Sequence, residues 1–215
     1  MNKITLLTKD HVKIVGNHFP VSTPSPGISL FHMMPAAKES YNLFAIKLQQ
    51  AGVGVLTIDL RGHGESAQGP NNYKTFTDQQ HQSSIGDVKA SVDFQEKEGH
   101  SPLFVGGASI GANLALQILA EDERVKKAIL LSPGLNYRGI ETIPLAKKVA
   151  KNKDVYIVAA KDDVRGLGSA DQQAQDIFNE LRCKKKIKIF VLGGHGTDML
   201  TAHQEFIGLL VEWLK

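Results

Sequence analysis

The stretch that decides the fold is Leu103-Phe104-Val105-Gly106-Gly107-Ala108-Ser109-Ile110-Gly111-Ala112-Asn113. Residues 103–105 are a short apolar run of strand type, and residues 112–120 follow a helical pattern, so Gly107-Ala108-Ser109-Ile110-Gly111 falls on a tight strand-to-helix turn. The G-x-S-x-G spacing has a physical reason. So sharp a turn forces its serine into a strained backbone and leaves no room for side chains two residues to either side. Gly107, Gly111 and the small Ala112 meet that demand. A phosphate-binding loop is excluded, because Ala112-Asn113 stands where Lys and then Ser or Thr would be needed.

On both sides of this turn the chain alternates strands with helices. Two β-patterned runs, 4–7 and 12–19, read as a hairpin turned at Lys9-Asp10. Further strands are expected at 28–31, 53–58, 128–131, 155–159 and 187–192, and helices at 38–50, 84–98, 170–181 and 199–214. The strands are continuous apolar runs, which means burial on both faces. Strands separated by helices imply right-handed crossovers and a mostly parallel sheet covered on both sides, with ligands at the carboxyl ends of the strands.

Two further groups stand at such ends. Asp162-Asp163 follows the strand at 155–159, and His195 follows the strand at 187–192 within Gly193-Gly194-His195-Gly196. A serine hydroxyl is a weak nucleophile at neutral pH and needs a base in reach, with a third group to orient that base. Of the eight histidines, His195 is the one in a glycine-rich loop past a late strand. His11, His18, His81, His100 and His203 read as surface or packing residues. Asp198 or Thr197 is expected to cap the last helix.

The order Ser109, Asp163, His195 over the whole chain resembles a lidless serine esterase of the α/β-hydrolase superfamily, close to its dienelactone-hydrolase-like and monoglyceride-lipase-like branches. Asp59-Leu60-Arg61-Gly62-His63-Gly64-Glu65-Ser66 closely resembles the D-x-R-G-x-G-x-S loop after the fourth strand of that family, and Thr8-Lys9-Asp10 through Pro20 resembles its opening hairpin. The resemblance implies an eight-stranded, mostly parallel sheet with an antiparallel N-terminal hairpin, helices on both faces, and one domain over residues 1–215. It implies a catalytic triad of Ser109, His195 and Asp163, the acid lying three residues after Ala160, with Asp162 as the solvated member of the pair. It also implies an oxyanion hole from the backbone amides of Ile110 and Met34, although His32-Met33-Met34-Pro35 stands where the family commonly has His-Gly. Met33 and Met34 read equally as flexible lining of an apolar acyl pocket.

Only a short helix near 143–151 fits between the strands at 128–131 and 155–159, so no sizeable cap is expected and the site should be open. The polar stretch 62–82 either overhangs the cleft or is a surface loop. The implied reaction is hydrolysis of a small to medium carboxylic ester with no cofactor. Thioesterase, peptidase and perhydrolase activities use the same three side chains. A non-catalytic protein of this fold that binds a ligand or partner is the alternative from another class.

Composition narrows the field further. The 215 residues carry 25 Lys and Arg against 22 Asp and Glu, too even a balance for a nucleic-acid footprint, and 42% are hydrophobic, as in a soluble globular domain. One Cys, Cys183, rules out an intramolecular disulfide and fits a reducing, cytoplasmic setting. No apolar stretch is long enough to span a bilayer. His195, Asp198 and His203 match no metal-binding spacing, so no metal is expected. Neither does the sequence mark a surface for self-association. Lys184-Lys185-Lys186 reads as a solvated run adjoining a strand.

Overall fold

In a computed structural model, which describes residues 1–67, 72–165 and 168–215, eight strands form one sheet. They are β1 (Asn2–Leu7), β2 (Lys13–Phe19), β3 (Gly27–Phe31), β4 (Gly54–Ile58), β5 (Leu103–Ala108), β6 (Val125–Leu131), β7 (Asp154–Ala160) and β8 (Lys184–Phe190). Their spatial order is β1-β2-β4-β3-β5-β6-β7-β8. The β1–β2 and β2–β4 pairs are antiparallel and all the others parallel. The helices are α1 (Asn42–Gln50), α2 (Asp78–Gln82), α3 (Ile85–Lys97), α4 (Ile110–Glu121), α5 (Thr142–Lys148), α6 (Ala170–Glu180), α7 (Asp198–Ala202) and α8 (Gln204–Leu214). The expected mostly parallel α/β architecture is the observed one.

The period-two geometry of a strand divides the core into two layers. Along β6, Ala128 and Leu130 pack with Leu114 and Leu116 of α4, while Ile129 and Leu131 face the layer of α1 and α8. Helices α3 to α6 cover the first face, and α1, α7 and α8 the second. Both faces of the central strands are therefore apolar. Among the described residues no helix is long and apolar enough to cross a membrane.

Several details depart from the sequence expectation, among them the start of β6 at Val125 and of α1 at Asn42. Strand β8 takes in Lys184, Lys185 and Lys186, because pairing with β7 runs from Lys184 opposite Asp154 to Phe190 opposite Ala160. It is the edge strand, and its exposed Lys184, Lys186 and Lys188 hinder pairing with another chain. Lys185 instead turns inward and donates to Phe178 O and Leu181 O, closing the C-terminal end of α6. The last helix is two helices, broken at His203 (φ −129°, ψ 62°), whose ring stacks on Phe190 at 3.8 Å and whose Nε2 meets Leu192 O at 2.7 Å. Thr197 sits at the cap position of α7 without a capping hydrogen bond, so the expected side-chain cap is absent.

Of the polar stretch 62–82, residues 68–71 lie outside those described. Tyr73 beyond them stacks on His63 at 4.0 Å, and α2 starts with a capping box made by Thr77 and Gln80. The motif loop before them is structural. Buried Asp59 accepts from Lys38 N and Lys38 Nζ, both at 2.8 Å, and from Glu65 N at 2.9 Å. Arg61 joins Asp87 of α3 to Asp10 of the β1–β2 turn.

Candidate functional site

One residue, Ser109, separates β5 from α4, at φ 55° and ψ −120°. A serine is held in so sparse a region only when its surroundings over-determine it. Ser109 N–H donates to Leu131 O of β6 at 2.9 Å, and Ser109 O accepts from Ala112 N at 2.9 Å and Asn113 N at 3.2 Å. The glycines permit the close approach. A Cβ on Gly107 would lie 2.0 Å from Gly111 O, and one on Gly111 would lie 2.2 Å from Phe31 O. The first turn of α4 therefore rests on the exit of β3, close to Met33-Met34. Ile110 N–H, the first amide of that helix, has no intrahelical acceptor.

His32 controls the neighbouring peptide. Its Nε2 accepts from Leu60 N at 3.0 Å, so its proton is on Nδ1 and donates to Met33 O at 2.9 Å. Burial lowers the pKa of this ring and keeps it neutral. Because a peptide is planar, holding Met33 O also fixes the direction of Met34 N–H.

On the other side of β5, the loops after β7 and β8 bring Asp163 and His195 together. Asp163 Oδ2 lies 2.6 Å from His195 Nδ1, and both residues are 4% exposed. Burial opposes ionisation of Asp163, yet hydrogen bonds from His195, Arg165 and Ser132 hold its pKa below the usual carboxylate value. The ionised carboxylate accepts, so Nδ1 donates and Nε2 is free to act as a base. The His195 loop closes onto the serine turn: a Cβ on Gly196 would lie 3.1 Å from Ala108 Cβ and 2.6 Å from Met33 Sδ. No hydrogen bond joins Ser109 to His195 among the described residues. His203 is occupied by Phe190 and Leu192, and no group of His, Cys, Asp and Glu among the described residues is placed to hold a metal ion. Burial raises the thiol pKa of Cys183.

Four contributors were not legible as such in the sequence. Asp162 is exposed, as expected, but it also accepts from Gly193 N at 3.1 Å and Gly194 N at 3.2 Å, tying the loop of His195 to the strand end of Asp163. Ser132, buried at φ 48°, accepts from Gly196 N at 3.0 Å and helps to lower the pKa of Asp163. Arg165 Nε donates to the second oxygen of Asp163 at 2.9 Å. A small hairpin, Asn136–Tyr137 with Ile140–Glu141, stands beside the serine turn, where Ser109 is 6% exposed. Asn136 and Gly139 about a two-residue turn were the available signal for that hairpin.

The anchoring by Asp162 leads to a prediction. Asp162→Ala frees two glycine amides at the base of the His195 loop, and kcat/KM on any turned-over substrate should fall by about tenfold, as misplacement of a remote positioning contact does. Stability should drop by only about 1 kcal/mol, as for a lost hydrogen bond. Steady-state kinetics beside thermal unfolding check it; an unchanged kcat/KM would show that the loop holds itself.

Comparison with known proteins agrees with this architecture. The model of the family "Serine aminopeptidase, S33" matches residues 23–195. A comparison with curated proteins finds no match. Among solved structures, the esterase Pf2001 of Pyrococcus furiosus superposes with a TM-score of 0.79 at 18% identity, covering 99% of this chain and 91% of that one. A dienelactone hydrolase from Anabaena variabilis gives 0.80 at 18% identity, over 99% and 95% of the two chains. The α/β hydrolase GrgF from Penicillium gives 0.81 at 15% identity, over 100% and 97%. At such identities the superpositions establish the fold, and the family match covers most of the chain. With its strand order, its strained Ser109 between β5 and α4, and residues 23–195 matched, the chain belongs to the serine aminopeptidase S33 family of the α/β-hydrolase superfamily.

Proposed function

We propose that the protein is a serine hydrolase that cleaves carboxylic esters of small to medium acyl groups through an acyl-enzyme. The observation that carries this reading is the buried His195–Asp163 pair, 2.6 Å apart, on a loop packed against the strained turn of Ser109. Ser109 Oγ attacks the ester carbonyl while His195 Nε2 takes its proton, and Asp163 keeps the imidazole oriented and stabilises its charged form. The amides of Ile110 and Met34 receive the oxyanion. His195 then passes the proton to the departing alcohol, and water attacks the acyl-enzyme by the same route in reverse.

Solved neighbours named as an esterase and a dienelactone hydrolase favour esters. The family description favours a second reading, in which the same side chains cleave an N-terminal peptide bond. A fluorophosphonate probe and intact-mass analysis decide whether the serine is activated. One adduct is expected on the native protein and none on Ser109→Ala. No adduct on folded native protein overturns the reading. Parallel assays of p-nitrophenyl esters and aminoacyl p-nitroanilides then separate the two substrates, with faster ester turnover expected.

A further inference from the structure

The hairpin between β6 and α5 is built to hold one side chain. Arg138 (φ 55°) and Gly139 (φ 80°) close it, the two positive φ angles of a turn whose twist suits a two-residue hairpin. Asn136 Oδ1 accepts from Gly139 N at 2.8 Å, and Gln82 Nε2 donates to Arg138 O at 2.9 Å. At its base buried Asn113 donates to Gly134 O at 3.0 Å and Ile140 O at 2.9 Å, and accepts from Gly134 N at 3.1 Å. Asn113 lies in the first turn of α4, whose start is the Ser109 turn, so the hairpin and the serine share one rigid support. The Tyr137 ring lies against Gly134, where a Cβ would come within 2.6 Å of it. Ser109, Asp163 and Arg165 are the side chains that act on its hydroxyl, although no hydrogen bond joins it to Ser109 among the described residues.

The strand order says on which side of the serine this hydroxyl stands. Met34 leaves β3, on one side of β5, whereas Tyr137, Asp163 and His195 follow β6, β7 and β8 on the other. Tyr137 thus shares the side of His195, from which a departing alcohol is protonated, and is across β5 from Met34. We infer that Tyr137 is a further functional residue of this site, donating to the leaving-group oxygen as the acyl-enzyme forms.

This inference rests on the proposed ester hydrolysis. In that step the Ser109 Oγ–carbon bond forms as its proton moves to His195 Nε2; the carbon–oxygen bond to the alcohol then breaks as the proton moves from Nε2 to that oxygen. Tyr137 transfers nothing. Burial raises its pKa, so it keeps its proton and supplies only a hydrogen bond. Such a bond matters most for a basic alkoxide and little for a weakly basic phenolate.

The test is Tyr137→Phe in the full chain, which keeps the ring on Gly134. Using kcat/KM, which reports acylation, a methyl ester and the p-nitrophenyl ester of the same acid are compared. The methyl ester should lose about tenfold and the aryl ester less than about twofold, the upper end of what one neutral hydrogen bond supplies. Equal effects on both esters, whether none or a common loss, overturn the inference. A native protein that takes the fluorophosphonate and turns over both esters, with Tyr137→Phe equal on both, fails this inference alone. A native protein that neither labels nor turns over either ester fails the proposed function and this inference with it.

Discussion

Replacing Ser109 with alanine should lower kcat on any ester the protein cleaves by about 10⁴-fold or more, the scale seen when the attacking hydroxyl of such a group is removed. The bound substrate then still meets the proposed oxyanion donors, and water must attack without covalent help, which leaves a small residual rate. His195→Ala should cost a similar factor, because a proton acceptor without a nucleophile and a nucleophile without an acceptor are equally idle. The combined Ser109→Ala and His195→Ala protein should therefore be no slower than the slower single variant. Thermal unfolding of Ser109→Ala should be nearly unchanged, since the backbone contacts that hold φ at 55° involve its N–H and C=O and leave the hydroxyl out. Initial rates of the native protein and the three variants give the answer. Multiplicative losses in the double variant would show that the two residues act independently.

The second large effect is on stability. Gly107→Ala puts a methyl group 2.0 Å from Gly111 O, 2.2 Å from Gly111 C and 2.6 Å from Ala112 N. All three are backbone atoms of the first turn of α4, so no rotamer change relieves the clash. Strand β5 and helix α4 must move apart, which breaks the packing of Leu114 and Leu116 in the core. A loss of more than about 4 kcal/mol is expected, the range reserved for overpacking that cannot relax. Against a typical total of about 5–15 kcal/mol this leaves little folded protein. Gly106→Ala is the matched control. Its Cβ would meet Leu30 Cδ2 at 2.7 Å, a side-chain carbon that can shift, and a loss of about 1–2 kcal/mol is expected. Urea unfolding of both variants checks the contrast, and equal losses would contradict it.

Much of this architecture is legible in the chain itself. The apolar runs and intervening helical patterns place nearly every element of the sheet, because burial on two faces is written in consecutive residues. The turn at Ser109 is legible for the same reason, as its stereochemical demand falls on Gly107 and Gly111, two residues away. The order of Ser109, the Asp162-Asp163 pair and His195 along the chain, and their places after strands, also follow from local pattern alone. The start of β8 at Lys184 was not legible, since lysines do not read as a strand until β7 lies beside them.

What only the tertiary structure decided is the division of labour between residues far apart in sequence. Asp162 and Asp163 are chemically identical neighbours; the pleat and turn after β7 send one carboxylate to His195 and the other to the Gly193 and Gly194 amides, some thirty residues away. The interruption at His203 arises because its ring covers Phe190, at the end of another element. The hairpin of Tyr137 stands beside the serine turn because Asn113 fastens it to the helix that follows Ser109. Local pattern determines which elements form, since it depends on neighbours along the chain. Which of two like side chains meets which partner depends on the register of packed elements, and that exists only once the sheet and its loops are assembled.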